Sequence, residues 1–185
     1  MIPEGLADAV IPEGLAGRLR ARRARVIAVD GPSGSGKTTI GGALAAELGA
    51  PLIHMDDLYD GWDGLRAGAD RLVEWIVRPL AEGRPARWRR YDWALSAYAE
   101  WHELSPPGAL VVEGVGAGSA AAEPYTSFLI WADAPPGVRR ARALRRDGDA
   151  YLPHWERWAR QEDAYFAADR VRARADVVID TGAWT

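Results

Sequence analysis

Val26-Ile27-Ala28-Val29, followed by Gly31-Pro32-Ser33-Gly34-Ser35-Gly36-Lys37-Thr38, decides how the whole chain reads. The four apolar residues form a short buried strand. The next eight match G-x-x-x-x-G-K-[ST] at every fixed position, and the Ala- and Leu-rich stretch from about Lys37 to Leu48 reads as the helix that follows. Each part has a physical task. Glycines let the backbone curl until several N–H groups face one anion. The helix starts at that anion and offers the positive end of its dipole. Lys37 reaches the β- and γ-phosphates of a nucleoside triphosphate, and the Thr38 hydroxyl ligates magnesium. Gly31, Ser33, Gly34, Ser35, Gly36, Lys37, Thr38 and Thr39 are therefore expected to hold ATP and Mg2+.

Composition sharpens this reading. The chain carries 22 arginines but one lysine, and that lysine is Lys37. Chance gives one account of the skew. Drift from Lys to Arg wherever either serves gives the other, with Lys37 kept because a compact ammonium must sit against phosphate oxygens. There is no asparagine. Guanine-specific phosphate-loop proteins read their base with an Asn-Lys-x-Asp type of motif, so adenine is expected.

Outward from the loop, short apolar runs alternate with helical stretches. Leu52-Ile53-His54-Met55, Leu110-Val111-Val112, Phe128-Leu129-Ile130-Trp131 and Val177-Val178-Ile179 read as further buried strands. Residues 69–82, 136–146 and 154–169 read as helices, the first ended by Gly83-Arg84-Pro85. Such alternation predicts a parallel sheet covered on both faces. Residues 1–24 read as an N-terminal extension with one helix. They hold a near-repeat, Ile2-Pro3-Glu4-Gly5-Leu6-Ala7 and Ile11-Pro12-Glu13-Gly14-Leu15-Ala16, and end in the basic run Arg18 to Arg25, which fits an anionic partner or a solvated helix face. Residues 25–185 read as one domain.

Bulk properties exclude several classes. With 48% hydrophobic and 26% charged residues, the 185-residue chain has the make-up of a globular domain. A net charge of −3 argues against nucleic-acid binding through bulk positive charge. No apolar run reaches the ~18 residues of a membrane helix, and no signal peptide is expected. The absence of cysteine excludes disulfides, thiolate metal sites and cysteine nucleophiles. The expectation is a cytoplasmic protein with a small-molecule acceptor, a monomer or homodimer, and no membrane or nucleic-acid partner.

Two acidic clusters stand where chemistry wants them. Asp56-Asp57 follows the second strand and Glu113-Gly114 the third. Ligands of open parallel sheets gather outside the carboxyl ends of the strands, so both clusters converge with the phosphate loop. A carboxylate there holds magnesium through water or accepts a proton from an attacking hydroxyl. The alternatives are a turn cap for Glu113 and a helix cap for one of the aspartates.

The loop with its Thr38-Thr39 ending, then Asp56-Asp57-Leu58-Tyr59, Tyr91-Asp92-Trp93, Glu113-Gly114, and finally Arg139, Arg142 and Arg146-Asp147, resemble the uridine kinase family in order and approximate spacing. The resemblance covers about residues 25–180. It implies a three-layer α/β P-loop fold like that of the nucleoside monophosphate kinases, with a five-stranded parallel sheet in the order 2-3-1-4-5 and a short lid at about 136–169. It implies phosphoryl transfer from ATP to an acceptor hydroxyl, best matched by a uridine- or cytidine-like nucleoside. Asp56 would take the hydroxyl proton, and Lys37 and Arg142 would complete the catalytic set. Thr38, Asp56 and Glu113 would serve magnesium. Tyr59, Asp63, Tyr91, Trp93 and Glu113, with Asp56, would bind the acceptor, Tyr59 by lining its site, Asp63 by gripping sugar hydroxyls, and Tyr91 and Trp93 by stacking on a base. Arg139 and Arg146 would join Arg142 in a lid helix that closes over ATP. The chain departs from the family at Ser96, near where a base-reading histidine is usual, and in its shorter lid.

Two other readings stay open from the residues. Arg87, Arg89 and Arg90 fit either a phosphate already carried by the acceptor or a solvated basic edge, so a kinase of nucleoside monophosphates or of another small metabolite is one. An ATP-dependent switch without a small acceptor is the other. The nine tryptophans are read mainly as packing, and His54, His102 and His154 as structural rather than metal-binding.

Overall fold

Residues 11–148 and 151–184 are described by the computed structural model. The first copy of the near-repeat lies outside them. Five strands form one parallel sheet: β1 (Val26–Asp30), β2 (Leu52–His54), β5 (Leu110–Glu113), β6 (Phe128–Asp133) and β7 (Val177–Asp180). Between β2 and β5 the chain makes an antiparallel hairpin, β3 (Ala86–Asp92) and β4 (Ala97–Leu104). The sheet order is β2-β5-β1-β6-β7. The sequence reading did not foresee the hairpin, which takes two strand numbers. Counted without it, the sheet runs second, third, first, fourth, fifth.

All five residues of β1 are buried, as expected of a central strand covered on both sides. Alternate side chains feed two cores. Val26 and Ala28 pack with Ile53, Val112, Trp131 and Tyr165 on one face. Ile27 and Val29 pack with Ile40, Leu44, Phe128 and Ile130 on the other. The second core also takes Leu15 and Leu19 of helix α1 (Leu15–Ala21), so this short helix is packed into the sheet domain. Two arginines of its basic run have partners in the sheet domain: Arg20 donates to the Glu47 carbonyl, and Arg22 stands 4.0 Å from Asp176.

Helix α2 (Lys37–Leu48) follows the loop. A longer helical run comprises α3 (Leu65–Arg71), a π-helical turn (Leu72–Val77) and α4 (Arg78–Ala81). Pro79, which has no N–H to give to the ladder, sits just beyond the widened turn. Helices α5 (Pro136–Asp147) and α6 (Trp155–Asp169) cover the mouth of the loop, and α7 (Val171–Arg174) leads into β7. Among the described residues no helix is long and apolar enough to cross a membrane.

Candidate active site

Strand register gathers the site. Val29 pairs with Glu113 across β1 and β5, and His54 pairs with Glu113 across β2 and β5. The carboxyl ends of three neighbouring strands therefore share one row. The phosphate loop springs from β1, Asp56 and Asp57 follow β2, and Glu113 closes β5.

The loop is wound tightly against its surroundings. At Gly34 the backbone has φ +78°, and a Cβ there would stand 2.2 Å from the Arg139 carbonyl oxygen, so α5 lies directly on the loop. Lys37 is buried and its ammonium donates to the Pro32 carbonyl at 3.0 Å. Burial pushes its pKa down; the carboxylates of Glu162, Glu113, Asp30 and Asp56 oppose that, Glu162 most strongly. Asp30, fully buried at the root of the loop, accepts from Gly31 N (2.6 Å), Gly118 N (2.8 Å), Gly116 N (3.1 Å) and the Tyr165 hydroxyl (2.8 Å). Desolvation nevertheless raises its carboxyl to about 6.

Glu113 links the loop helix to the second strand. One oxygen lies 2.5 Å from His54 Nδ1, and the other accepts the Thr38 hydroxyl at 3.2 Å. That hydrogen bond and the carboxylate's charge raise the His54 pKa. Helix α2 comes this close because residue 41 is glycine: a Cβ there would stand 2.9 Å from the Glu113 Cβ. The two aspartates face different ways electrically. Asp56 is open to solvent from within the cleft. Crowding by protein and the Glu113 charge raise its pKa against Arg146, Lys37 and His54. Asp57 is raised by burial too, but it feels His54, His102, Arg90 and Glu100, the last three on the hairpin.

On the acceptor side the expectations meet a different arrangement. Tyr59 lies beneath the cleft, 1% exposed, and its hydroxyl donates to the Val115 carbonyl at 2.6 Å. It supports the floor and offers no hydroxyl to a ligand. Tyr91 is buried edge-on to Trp93, and the Trp93 indole N–H donates to the Asp56 carbonyl at 3.1 Å, tying the hairpin to the turn that carries Asp56. Asp63 is paired through both oxygens with Arg157 of α6. Trp62 stacks on His154 at 4.3 Å and on Tyr151 at 5.3 Å between ring centres. Segment 60–64 and the lid are thus already in contact.

The arginines also divide. Arg142, expected to act on the transferring phosphoryl group, instead donates to the Thr181 hydroxyl, the Thr181 carbonyl and the Trp184 carbonyl at 3.0, 2.8 and 2.6 Å. It pins the segment after β7. Arg139 donates to the Ala134 carbonyl at 3.1 Å and the Ser33 carbonyl at 3.4 Å, beside the loop. Arg146 is exposed, and its charge acts on Asp56. Arg89 donates to the Tyr98 and Ala99 carbonyls; Arg90 pairs with Glu100 and Asp92; Arg87 lies 3.2 Å from Glu103.

Among the described residues no group of three or more His, Cys, Asp or Glu side chains could hold a metal ion by itself. Magnesium takes one or two protein oxygens and completes its shell with phosphate and water. Thr38, Glu113 and Asp56 offer the hard oxygen donors that this requires.

Sequence reasoning missed two residues. His54 was set aside as structural, although it directly precedes Met55-Asp56 at a strand's carboxyl end, where position alone could have flagged it. Glu162, 3% exposed, accepts the backbone N–H and the hydroxyl of Ser33 at 2.9 and 2.6 Å across 129 residues of chain. No local signal points to that contact.

Comparison with known proteins agrees with this geometry. The chain is 30% identical to the cytidylate kinase of Pyrobaculum arsenaticum over 164 residues, covering 84% of this chain and 83% of that one. It is 32% identical to the cytidylate kinase of Halobacterium salinarum over 152 residues, covering 78% and 73%. The solved structure of a possible uridine kinase from Bacillus stearothermophilus superposes with a TM-score of 0.62 at 22% identity, over 88% of this chain and all of that one, a likeness of fold. No protein-family model matches the chain.

Proposed function

The chain belongs to the cytidylate kinase family of P-loop kinases, and we propose that it moves the γ-phosphoryl group of ATP to a hydroxyl of a small acceptor that carries no phosphate, with a uridine- or cytidine-like nucleoside the best match. One observation carries the choice of acceptor. The acceptor side of the cleft is lined by Asp56, Asp57 and Glu113, and the arginines of α3, the hairpin and α6 pair with acids there: Arg66 with Asp169, Arg71 with Asp60, Arg90 with Glu100 and Asp92, and Arg157 with Asp63, while Arg146, whose charge acts on Asp56, is assigned to the transferring phosphoryl group. A phosphate already on the acceptor would meet three carboxylates and would have to draw one of these arginines from its acid. A neutral polyol meets hydrogen-bond acceptors.

The chain's own residues then divide the work. The loop N–H groups and Lys37 hold the triphosphate. Thr38, Glu113 and Asp56 would hold magnesium, which supplies charge neutralisation at the phosphate oxygens when bound. Asp56 receives the proton of the attacking hydroxyl. Support comes from its placement on the loop side of the cleft, among the charges of Lys37, Arg146 and Glu113. Asp57, answering to the hairpin charges, orients the acceptor instead. Arg146 takes the role of spreading developing charge that the sequence reading gave to Arg142.

The names of the relatives favour a second reading, a kinase of a nucleoside monophosphate. The experiment is ADP release from magnesium-ATP with cytidine, uridine, CMP and UMP, with Asp56→Ala as control. Turnover with a nucleoside, lost in the variant, is the expected result. Turnover confined to the monophosphates would replace the first reading with the second.

A further inference from the structure

Glu162 belongs to α6, yet its carboxylate sits inside the phosphate loop. The Oε1 atom accepts three hydrogen bonds: Ser33 N at 2.9 Å, Ser33 Oγ at 2.6 Å and the Trp158 indole N–H at 2.9 Å. The side chain is almost wholly buried. A buried carboxylate persists only where donors and opposite charge meet it. Here the donors are those of a loop wound to bind an anion, and the opposite charge is Lys37. The chain therefore presents its own anion to the nucleotide site.

Resting on the ATP-binding reading above, we propose that Glu162 is a positioning residue that stands in for nucleotide phosphate at Ser33 and withdraws when a nucleoside triphosphate fills the loop, releasing α6. Two anions cannot share these donors without strong repulsion in so shielded a place. The outward move breaks the hydrogen bond to Trp158, whose ring packs edge-on against Tyr59 at 4.9 Å. It also loosens the turns of α6 that hold segment 60–64, where Arg157 pairs with Asp63 and Gln161 donates to the Trp62 carbonyl at 2.7 Å. Nucleotide arrival is thereby coupled to the opening of the acceptor side.

Glu162→Gln tests this with ATP as the probe. The amide keeps an oxygen for Ser33 and Trp158 but loses the charge. Calorimetric titration should show ATP binding to the variant at least ~10-fold more tightly than to the parent, a change that loss of a mere brace would not produce. Unchanged or weaker binding by the variant overturns the proposal. Hydrogen exchange on the parent protein gives an answer that does not depend on the variant folding. Amides of residues 155–163 should exchange faster with ATP bound, and slower or equal exchange overturns the proposal. Absence of ATP binding by both proteins would instead remove the nucleotide reading on which it rests.

Discussion

Tyr165 donates its hydroxyl to Asp30 at 2.8 Å, joining the lid helix α6 to the root of the phosphate loop. The same carboxylate gathers the N–H groups of Gly31, Gly116 and Gly118, so one buried group ties three segments together.

Desolvation lifts Asp30 from 3.8 to about 6 in the fold, although the hydrogen bonds from Gly118, Tyr165 and Gly31 and the charge of Lys37 pull the other way. Because the folded-state value is raised, the fold binds the proton more tightly than the unfolded chain does. This group's contribution to stability is therefore greatest at low pH, declines between about pH 4 and pH 6, and is flat above. In Asp30→Asn the titration is gone. Urea unfolding of both proteins should show the parent's advantage over the variant shrinking by about 2 kcal/mol between about pH 4.5 and pH 7. A constant difference across that range would mean that Asp30 does not titrate with folding.

Two glycines with left-handed backbones separate strain from collision. Gly14 precedes α1 with φ +72°, and a Cβ there meets nothing within 4 Å. Alanine at that position should cost about 1 kcal/mol, the strain of the backbone alone. Gly34→Ala adds a collision with the Arg139 carbonyl oxygen. It should cost at least ~3 kcal/mol and abolish ATP binding, because α5 must lift off the loop. Thermal unfolding and ATP titration of the two variants would check the contrast.

The parts legible in the sequence are those written locally. The phosphate loop declares itself because its glycines, lysine and threonine are consecutive, and the sheet declares itself because buried parallel strands are unbroken apolar runs. The hairpin stayed hidden because β3 and β4 are rich in charge. Arg87 faces Glu103 and Arg90 reaches Glu100, cross-strand pairs that no apolar alternation announces. Its turn also lacks glycine and asparagine: Asp92 accepts the N–H groups of Ala94 and Leu95, and Ser96 takes φ +50°. The contacts of Arg142 stayed hidden for a related reason. Helix periodicity puts it on the same stretch as Arg139 and Arg146, but only the path of the chain beyond β7 brings Thr181 and Trp184 to its guanidinium.

Tyr59→Phe distinguishes floor from pocket. The change removes the hydrogen bond to the Val115 carbonyl and leaves the ring packing against Trp93 and Trp158. Stability should fall by about 1 kcal/mol while KM for the acceptor stays within about twofold. A tenfold rise in acceptor KM without loss of stability would return Tyr59 to the acceptor pocket. Measuring both quantities on one preparation separates the two roles.

Glu113 stands between the Thr38 hydroxyl and the His54 ring, so its removal should act in two ways at once. Glu113→Gln keeps the shape but loses the charge that holds His54 at 2.5 Å and orients the Thr38 hydroxyl. Loss of a group that holds magnesium, directly or through Thr38, is expected to lower metal affinity or activity by about 10- to 100-fold, and kcat at saturating magnesium-ATP should fall within that range. The second effect is on pH. In the parent, Glu113 raises His54 above its ordinary value of 6.5, so the protonated pair stabilises the fold below that pH, and this contribution is lost as pH rises through the raised value. In the variant the His54 titration, followed by NMR, should move down. A drop in kcat with no movement of the His54 titration would show that Glu113 acts through Thr38 alone. Movement of the histidine with unchanged kcat would show that the pair serves the fold and not the transfer.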